Sequence, residues 1–278
     1  MVTVMKKYGT VCICNDLQAL NKQIVTEKFV LPSADELITC LSGAQFFSKL
    51  DLRNAFFHMP LTQESKPLTA FLTPDGLFQY NVLPMGLSSA PAAWQKFMVH
   101  ALSQLDGVIV YMDDVCVFGP TQAEHDKRLK AVLHRLNELN LRLNVDKCSF
   151  NVSEIEFLGH VISAEGVKPN ITNTYAITSA PVPKTVTEVQ HFLGLCAYYL
   201  RFLKDFTELA EPLRRLTRSG TLFVWDTEQK AAFEEIKKRI SSAPLMAIFN
   251  ESCSTFVSTD ASEIGIGAVL SQVQDDRE

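Results

Sequence analysis

The chain has 278 residues, of which 47% are hydrophobic and 21% charged, a balance that folds as one large or two ordinary domains and excludes long disorder, collagen and mucin-like stalks. Its net charge of −5 is local: residues 251–278 carry one arginine against six acids, whereas residues 1–250 balance 25 basic against 25 acidic side chains. The longest uncharged stretch, Gly76 to Gln95, is interrupted by Asn81, Pro84 and Pro91, so no membrane span is expected, and Met1 to Lys7 lacks the apolar core of a secretory signal.

Along the chain, the run Phe46-Phe47-Ser48-Lys49-Leu50 reads as a strand that closes on Asp51. A lone acid ending an apolar strand wants a partner, because an unpaired buried carboxylate is costly. Pro74-Asp75-Gly76 marks a turn. Ser88-Ser89-Ala90-Pro91 places capping serines before a proline in the first turn of a helix that runs through Trp94, Phe97, Met98 and Ala101. Gly107 to Phe118 sets two β-branched runs around Asp113-Asp114, the pattern of a hairpin whose tip carries both carboxylates. A helix from about Thr121 follows, with Leu129, Val132, Leu133, Leu136 and Leu139 on its apolar face. The segment to about Val167 is thus α+β.

From Lys168 to about Ser219, Thr185-Val186-Thr187-Glu188 has the spacing of a capping box, and Val189, Phe192, Leu193, Cys196 and Leu200 form a core-facing stripe behind it. From about residue 220, a helix capped near Asp226 or Thr227 carries Phe233, Ile236 and Ile240 on one face. Thr255 to Ser258 then reads as a strand entering Asp260, and Gly265 to Leu270 as a second. Seven cysteines without a Cys-x-x-Cys pair fit reduced thiols in an intracellular setting, and none of the six histidines has zinc-ligand spacing with a cysteine.

Adjacent acids at a tight tip repel each other, and a bound cation relieves that repulsion, although a solvated turn would also use aspartates. If Asp51 lies beside the tip, Asp51, Asp113 and Asp114 converge as hard oxygen ligands for Mg²⁺. Two such ions can activate an attacking hydroxyl and stabilise the leaving oxygen in phosphoryl or nucleotidyl transfer.

Three blocks carry a resemblance to reverse transcriptases. Leu50-Asp51-Leu52-Arg53-Asn54-Ala55-Phe56-Phe57, Leu83-Pro84-Met85-Gly86-Leu87-Ser88-Ser89-Ala90-Pro91 and Tyr111-Met112-Asp113-Asp114 resemble motifs A, B and C in order and spacing. Asp146-Lys147-Cys148 resembles the motif D lysine, and Phe157 to Ser163 the primer grip around Leu158, Gly159 and His160. Phe192-Leu193-Gly194-Leu195 with Tyr198-Tyr199, and Ser258 to Ser262, narrow the likeness to pol polyproteins of gypsy-class LTR retrotransposons.

The resemblance implies a right-hand polymerase fold, with fingers and palm over residues 1–167, a thumb-like helical segment over 168–219, and a connector with the start of an RNase H-like domain over 220–278. Asp51, Asp113 and Asp114 would be the catalytic carboxylates holding two Mg²⁺, with the Leu52 carbonyl as a further metal contact. Phe56 would be the gate against a ribose 2′-hydroxyl; Met85, Gly86, Tyr111 and Met112 would line the nucleotide and template site; Lys147 would sit near the triphosphate as a proton donor. Read without the family, Phe56 and Phe57 are core aromatics and Lys147 an exposed lysine, and His160 is structural rather than catalytic. The implied partners are an RNA/DNA template-primer and dNTPs, with room for a homodimer, in cytoplasmic retroelement particles or the nucleus.

The sequence departs from the family pattern at Cys12 and Gln18, where arginines are usual, the first of them gripping the incoming triphosphate. Cysteine offers phosphate no comparable fork, a loss of about 2 to 4 kcal/mol of transition-state stabilisation. Lys6 or Lys7 would compensate in part, and Asn173 and Leu200 also stand at usually basic positions. The leading fingers strands are not seen, and of the RNase H carboxylates only Asp260 is, so RNase H cleavage by this chain alone is not expected. Two readings follow: an RNA-directed DNA polymerase, favoured by the intact carboxylates, and an impaired retroelement remnant that only binds nucleic acid or protein, favoured by Cys12, Gln18 and the missing segments.

Overall fold

Runs of buried residues on both faces mark the centre of the first sheet. In the computed structural model, which describes residues 2–5, 11–25, 29–262 and 265–273, Phe47 and Leu50 are solvent-inaccessible, as are the successive Val115, Cys116 and Val117. Consecutive burial needs cover on both faces, unlike the in-out alternation of a half-exposed strand. The chain divides into two compact units, residues 1–40 with 44–153 and residues 41–43 with 154–278.

The first unit begins with paired strands β1 (Val2–Met5) and β2 (Val11–Cys14) and short helices α1 (Gln18–Asn21) and α2 (Ala34–Thr39). There follow β3 (Phe46–Asp51), the hairpin β4 (Phe71–Thr73) and β5 (Gly76–Phe78), α3 (Ala90–Leu102), β6 (Val108–Tyr111), β7 (Asp114–Gly119), α4 (Gln122–Glu138) and β8 (Ser149–Val152). Strands β6, β7, β3 and β8 form an antiparallel sheet in that order. Leu50, Val115 and Val117 point to one face and pack with Trp94 and Met98 of α3 and Val132 and Leu136 of α4. By the alternation of a strand, Lys49, Asp51, Asp114 and Cys116 take the opposite face.

The second unit holds the three-stranded meander β9 (Glu154–Phe157), β10 (His160–Ser163) and β11 (Gly166–Pro169), then α5 (Ile171–Thr178), α6 (Val186–Ala197), α7 (Phe206–Leu209), α8 (Glu211–Arg215) and α9 (Thr227–Ser241). Its helical core centres on Phe192 against Phe233, with ring centroids 4.6 Å apart, and on buried Ile177, Leu213 and Ile236. A hairpin of β12 (Thr255–Ser262) and β13 (Gly265–Gln272) follows.

Three local expectations are corrected. Ser89 stands at the N-cap of α3 in helical conformation and its side chain makes no capping bond, so Pro91 alone marks that start. At α6 the Thr185 hydroxyl accepts the Glu188 N–H, but the Glu188 carboxylate reaches back to the Lys184 N–H rather than to the cap residue itself. Helix α6 ends at Ala197, so the helical stripe stops there: Leu200 is 44% exposed in a following 3₁₀ turn, and Tyr199 is buried instead. Among the described residues, no helix is long and apolar enough to cross a membrane, and the described cysteines, from Cys40 to Cys253, are free thiols.

Candidate active site

Strand pairing brings the carboxylates together. Asp51, the last residue of β3, lies directly opposite Asp114, the first of β7, and Asp114 in turn pairs with Tyr111 across the β6–β7 hairpin. Only two residues, Met112 and Asp113, form the turn, so the tip holds Asp113 while Asp114 is already on the ladder. Met112 is left-handed, with φ of 54°. The Leu52 N–H donates to the Asp113 carbonyl at 3.3 Å, tying the end of β3 to the turn. On its other side Asp51 is held by the 144–148 loop: its carbonyl accepts the Asn144 N–H at 2.8 Å and its N–H donates to Cys148 Sγ at 3.4 Å.

Asp51 and Asp113 open into one cavity of about 630 Å³, lined also by Leu52, Arg53, Phe56, Met85 and Lys147. Lys147 Nζ lies 3.9 Å from the Asp51 carboxylate. Asp114 does not line the cavity; its carboxylate pairs with Lys49 Nζ at 2.9 Å, a same-face diagonal neighbour two residues before Asp51. The structure therefore brings Asp51 and Asp113 to a common space and turns Asp114 toward a cation, and among the described residues no three acids, histidines or cysteines form a ready-made metal group.

The Asp113 carboxyl is held above its ordinary value of 3.8, first by partial shielding from water and then by the charges of Asp51 and Asp114, with Lys147 opposing. Crowded carboxylates left undercompensated are what a hard divalent cation stabilises, and oxygen donors are the ligand type that Mg²⁺ selects. The donor set at Asp51 and Asp113 fits such an ion, while the Asp114 carboxylate is engaged by Lys49.

Phe56 sits in a 3₁₀ turn (Ala55–His58) and braces edge-on against Trp94, with centroids 6.3 Å apart and planes at 87°, while Phe57 is 40% exposed. Met85 reaches the cavity; Gly86, with φ of 92°, is exposed beside it in the loop before α3 and does not line it. Tyr111 and Met112 are half-buried at the hairpin. Leu158, Gly159 and His160 belong to the second unit, where Leu158 and Gly159, at φ of 47° and 70°, make the β9–β10 turn. Asp260 is exposed on β12 opposite Gly267. Gln18 is exposed in α1, the Cys12 side chain lies outside the described residues although its backbone is in β2, and Lys6 and Lys7 lie outside them altogether.

Sequence reasoning missed several supports. Lys49 carries a signal in hindsight, since strand alternation puts it on the face of Asp51. Asn21 of α1 does not: its Nδ2 donates to the Gly86 carbonyl at 2.9 Å and its Oδ1 accepts the Ser88 N–H at 2.8 Å, pinning the Met85–Ser88 loop across 65 residues of chain. Trp94 and Gln95 likewise bond the backbone around Met112.

A family model for reverse transcriptase (RNA-dependent DNA polymerase) matches residues 5–162, and one for the RNase H-like domain found in reverse transcriptase matches residues 225–278. The chain is similar to the Transposon Tf2-3 and Tf2-7 polyproteins of Schizosaccharomyces pombe (strain 972 / ATCC 24843), each 34% identical over 98% of this chain and 21% of the relative. It thus spans about a fifth of the length of the curated relatives it matches. Among solved structures it is similar to a foamy viral protease-reverse transcriptase dRH in complex with ds DNA (TM-score 0.90, 26% identity, 97% of this chain and 48% of that one). It is also similar to the foamy viral protease-reverse transcriptase in complex with RNA/DNA hybrid (TM-score 0.80, 25% identity, 96% and 39%).

Proposed function

The chain belongs to the reverse transcriptase family, and from that premise we propose that it carries out RNA-directed DNA synthesis, joining nucleotides from dNTPs to a primer 3′-hydroxyl on an RNA/DNA template-primer. The observation that carries the reading is the cavity into which Asp51 and Asp113 open together beside Lys147. The foamy viral relatives of the same fold, bound to ds DNA and to RNA/DNA hybrid, support the choice of template-primer.

In the proposed reaction the primer 3′-oxygen attacks the α-phosphorus of the dNTP in line, the bond to the bridging oxygen breaks, pyrophosphate leaves, and the hydroxyl proton passes to water. Two Mg²⁺ ions held by Asp51, Asp113 and Asp114 with the Leu52 carbonyl would acidify that hydroxyl and neutralise the departing charge. Lys147, on an exposed stem, is the cation beside Asp51 that can meet the phosphates and return a proton to pyrophosphate. Phe56, braced by Trp94, presents a fixed wall that an added 2′-hydroxyl would meet by clash, and Met85 adds apolar cover near the base.

The test is extension of a DNA primer on an RNA template by residues 1–278 in Mg²⁺, beside Asp113→Asn. We expect extension that the variant loses by a factor on the order of 10³ or more. Absence of extension by folded protein at millimolar dNTP would sink the polymerase reading. A second reading, a binding module that no longer catalyses, rests on Cys12 and Gln18; under it, template-primer binds with no extension and Cys12→Arg restores activity.

A further inference from the structure

We propose that Gln95 is a positioning residue for the Met112–Asp113 turn, its carboxamide taking the place of a fifth strand so that the Asp113 carboxylate stays aimed at the cavity. The proposal rests on the polymerase reading above and extends it to a residue that touches no substrate.

Among the described residues strand β6 is the edge of its sheet, and no strand pairs with the outer edge of the hairpin there. Gln95 fills that gap from α3. Its Nε2 donates to the Val110 carbonyl at 2.9 Å and its Oε1 accepts the Met112 N–H at 2.6 Å. A carboxamide offers the donor and acceptor of a peptide group, so it pairs with alternate residues of an edge as a neighbouring strand does. Trp94, one residue earlier, donates its Nε1–H to the Met112 carbonyl at 2.9 Å, and α3 thereby takes both backbone groups of Met112.

Two features make this tie necessary rather than incidental. Met112 is left-handed in a two-residue turn of Met-Asp, without the glycine or asparagine that would hold such a turn unaided. Gln95 is also fully buried, and a buried amide is unfavourable unless both its ends are bonded. Among the described residues, apart from the Leu52 N–H bond to the Asp113 carbonyl, the bonds that fix the turn beyond the β6–β7 ladder come from these two side chains. Helix α3 also follows directly on the loop carrying Met85, so one rigid element sets two walls of the cavity.

Gln95→Met keeps volume and helix propensity while removing both bonds, and Trp94→Phe removes one bond while keeping a ring. Both would be compared with wild type and Asp113→Asn in primer extension, and in Mn²⁺ titration by electron paramagnetic resonance of protein free of nucleic acid. We expect Gln95→Met to weaken Mn²⁺ binding and lower kcat by about 10- to 100-fold, as loss of a partner that orients a metal ligand does, with circular dichroism and the KM for template-primer unchanged. Trp94→Phe should move the same quantities in the same direction by a smaller factor. A folded Gln95→Met with wild-type Mn²⁺ affinity and kcat overturns the proposal; should Gln95→Met not fold, an unchanged Trp94→Phe overturns it. A wild type that neither extends primer nor binds Mn²⁺ more tightly than Asp113→Asn removes the polymerase reading and this proposal together, whereas an active wild type beside an unaffected Gln95→Met removes this proposal alone.

Discussion

Ser48, His125 and Asp126 stand in a row that invites a catalytic interpretation: Ser48 Oγ is 2.9 Å from His125 Nε2, and His125 Nδ1 is 3.2 Å from Asp126 Oδ1. Burial decides against it. Ser48 and His125 are solvent-inaccessible, and Ser48 Oγ already accepts the Asn151 N–H at 2.9 Å, so no acyl group can reach the hydroxyl. The network is satisfied with the Nδ1 proton donated to Asp126 and the serine proton to Nε2. Its task is register: between Phe47 and Lys49 the β3–β8 pairing shifts, and the Ser48 hydroxyl bonds the left-handed Asn151 across that irregularity. Ser48→Ala strands His125 Nε2 in the core and takes the partner from the part-buried Asn151 N–H, which should lower unfolding stability by about 1–3 kcal/mol. Urea denaturation of the two proteins measures it, and a change within about 0.3 kcal/mol would show that the network does not hold β3. Because Ser48 is three residues from Asp51 in the same strand, the same bond helps to hold the strand that carries Asp51.

At the scale of the element, the β9–β10 hairpin shows how a turn is held by side chains from elsewhere in its unit. The Leu158 carbonyl accepts from Tyr198 Oη at 2.8 Å and from His160 Nδ1 at 2.6 Å, and the Gly159 carbonyl accepts the Asn170 N–H at 3.0 Å. Gly159 takes a positive φ that favours glycine, and a Cβ there would stand 3.1 Å from Asn173 Nδ2, so that the asparagine side chain would have to give way. His160 is buried among Tyr198, Tyr199 and Phe202, and its Nε2 has no partner among the described residues. Burial holds its pKa below the ordinary 6.5, with the bond to Leu158 opposing. The unfolded chain therefore takes up the proton first as pH falls: this residue costs no stability above about 6.5, and the loss grows from there down to the folded pKa, by at most about 1.4 kcal/mol per pH unit. Denaturation midpoints at pH 7.5 and 5.5 should separate more for wild type than for His160→Phe, and equal separations would remove His160 as the cause. The β6–β7 hairpin with both aspartates near its tip and the apolar faces of α4 and α9 were legible in the sequence, because each is written in local periodicity or in apolar runs meeting acids, whereas the place of Asp51 beside that tip was a condition that the pairing of β3 with β7 meets. What bridges distant segments was not. Lys49 with Asp114, Asn21 with the Gly86 loop and Gln95 with Met112 are bonds of polar side chains to groups set by tertiary packing, and no spacing encodes them. The exchange of Leu200 for Tyr199 has the same origin, since the end of α6 changes the period that the stripe assumed.

Across the whole molecule, stability is distributed unevenly, and the distribution is measurable. Strands β3 and β7 pair over six residues with Phe47, Leu50, Val115 and Val117 sealed from solvent, so their amides open only when the core around them does. The β12–β13 hairpin is longer, with eight paired positions, but among the described residues it pairs only with itself, and Phe256, Val257, Val269 and Leu270 are each more than half exposed. Ladder length alone confers little: a two-stranded hairpin without a covered face is marginal in water, because its hydrogen bonds replace bonds to water almost evenly and no apolar burial is added. The two ladders should therefore separate by several orders of magnitude in amide exchange. In native-state hydrogen exchange at neutral pH, amides of Phe47, Leu50, Val115 and Val117 should exchange only through near-global opening, while those of Val257, Ser258, Val269 and Leu270 should exchange through local opening of a few kcal/mol at most. The candidate site follows the same division, since Asp51 and Asp114 face each other on the protected ladder and Asp113 stands in the turn that leads into it. Protection of Val257 and Val269 equal to that of Leu50 and Val115 would refute this assignment and require a cover over β12–β13 that the described residues do not provide.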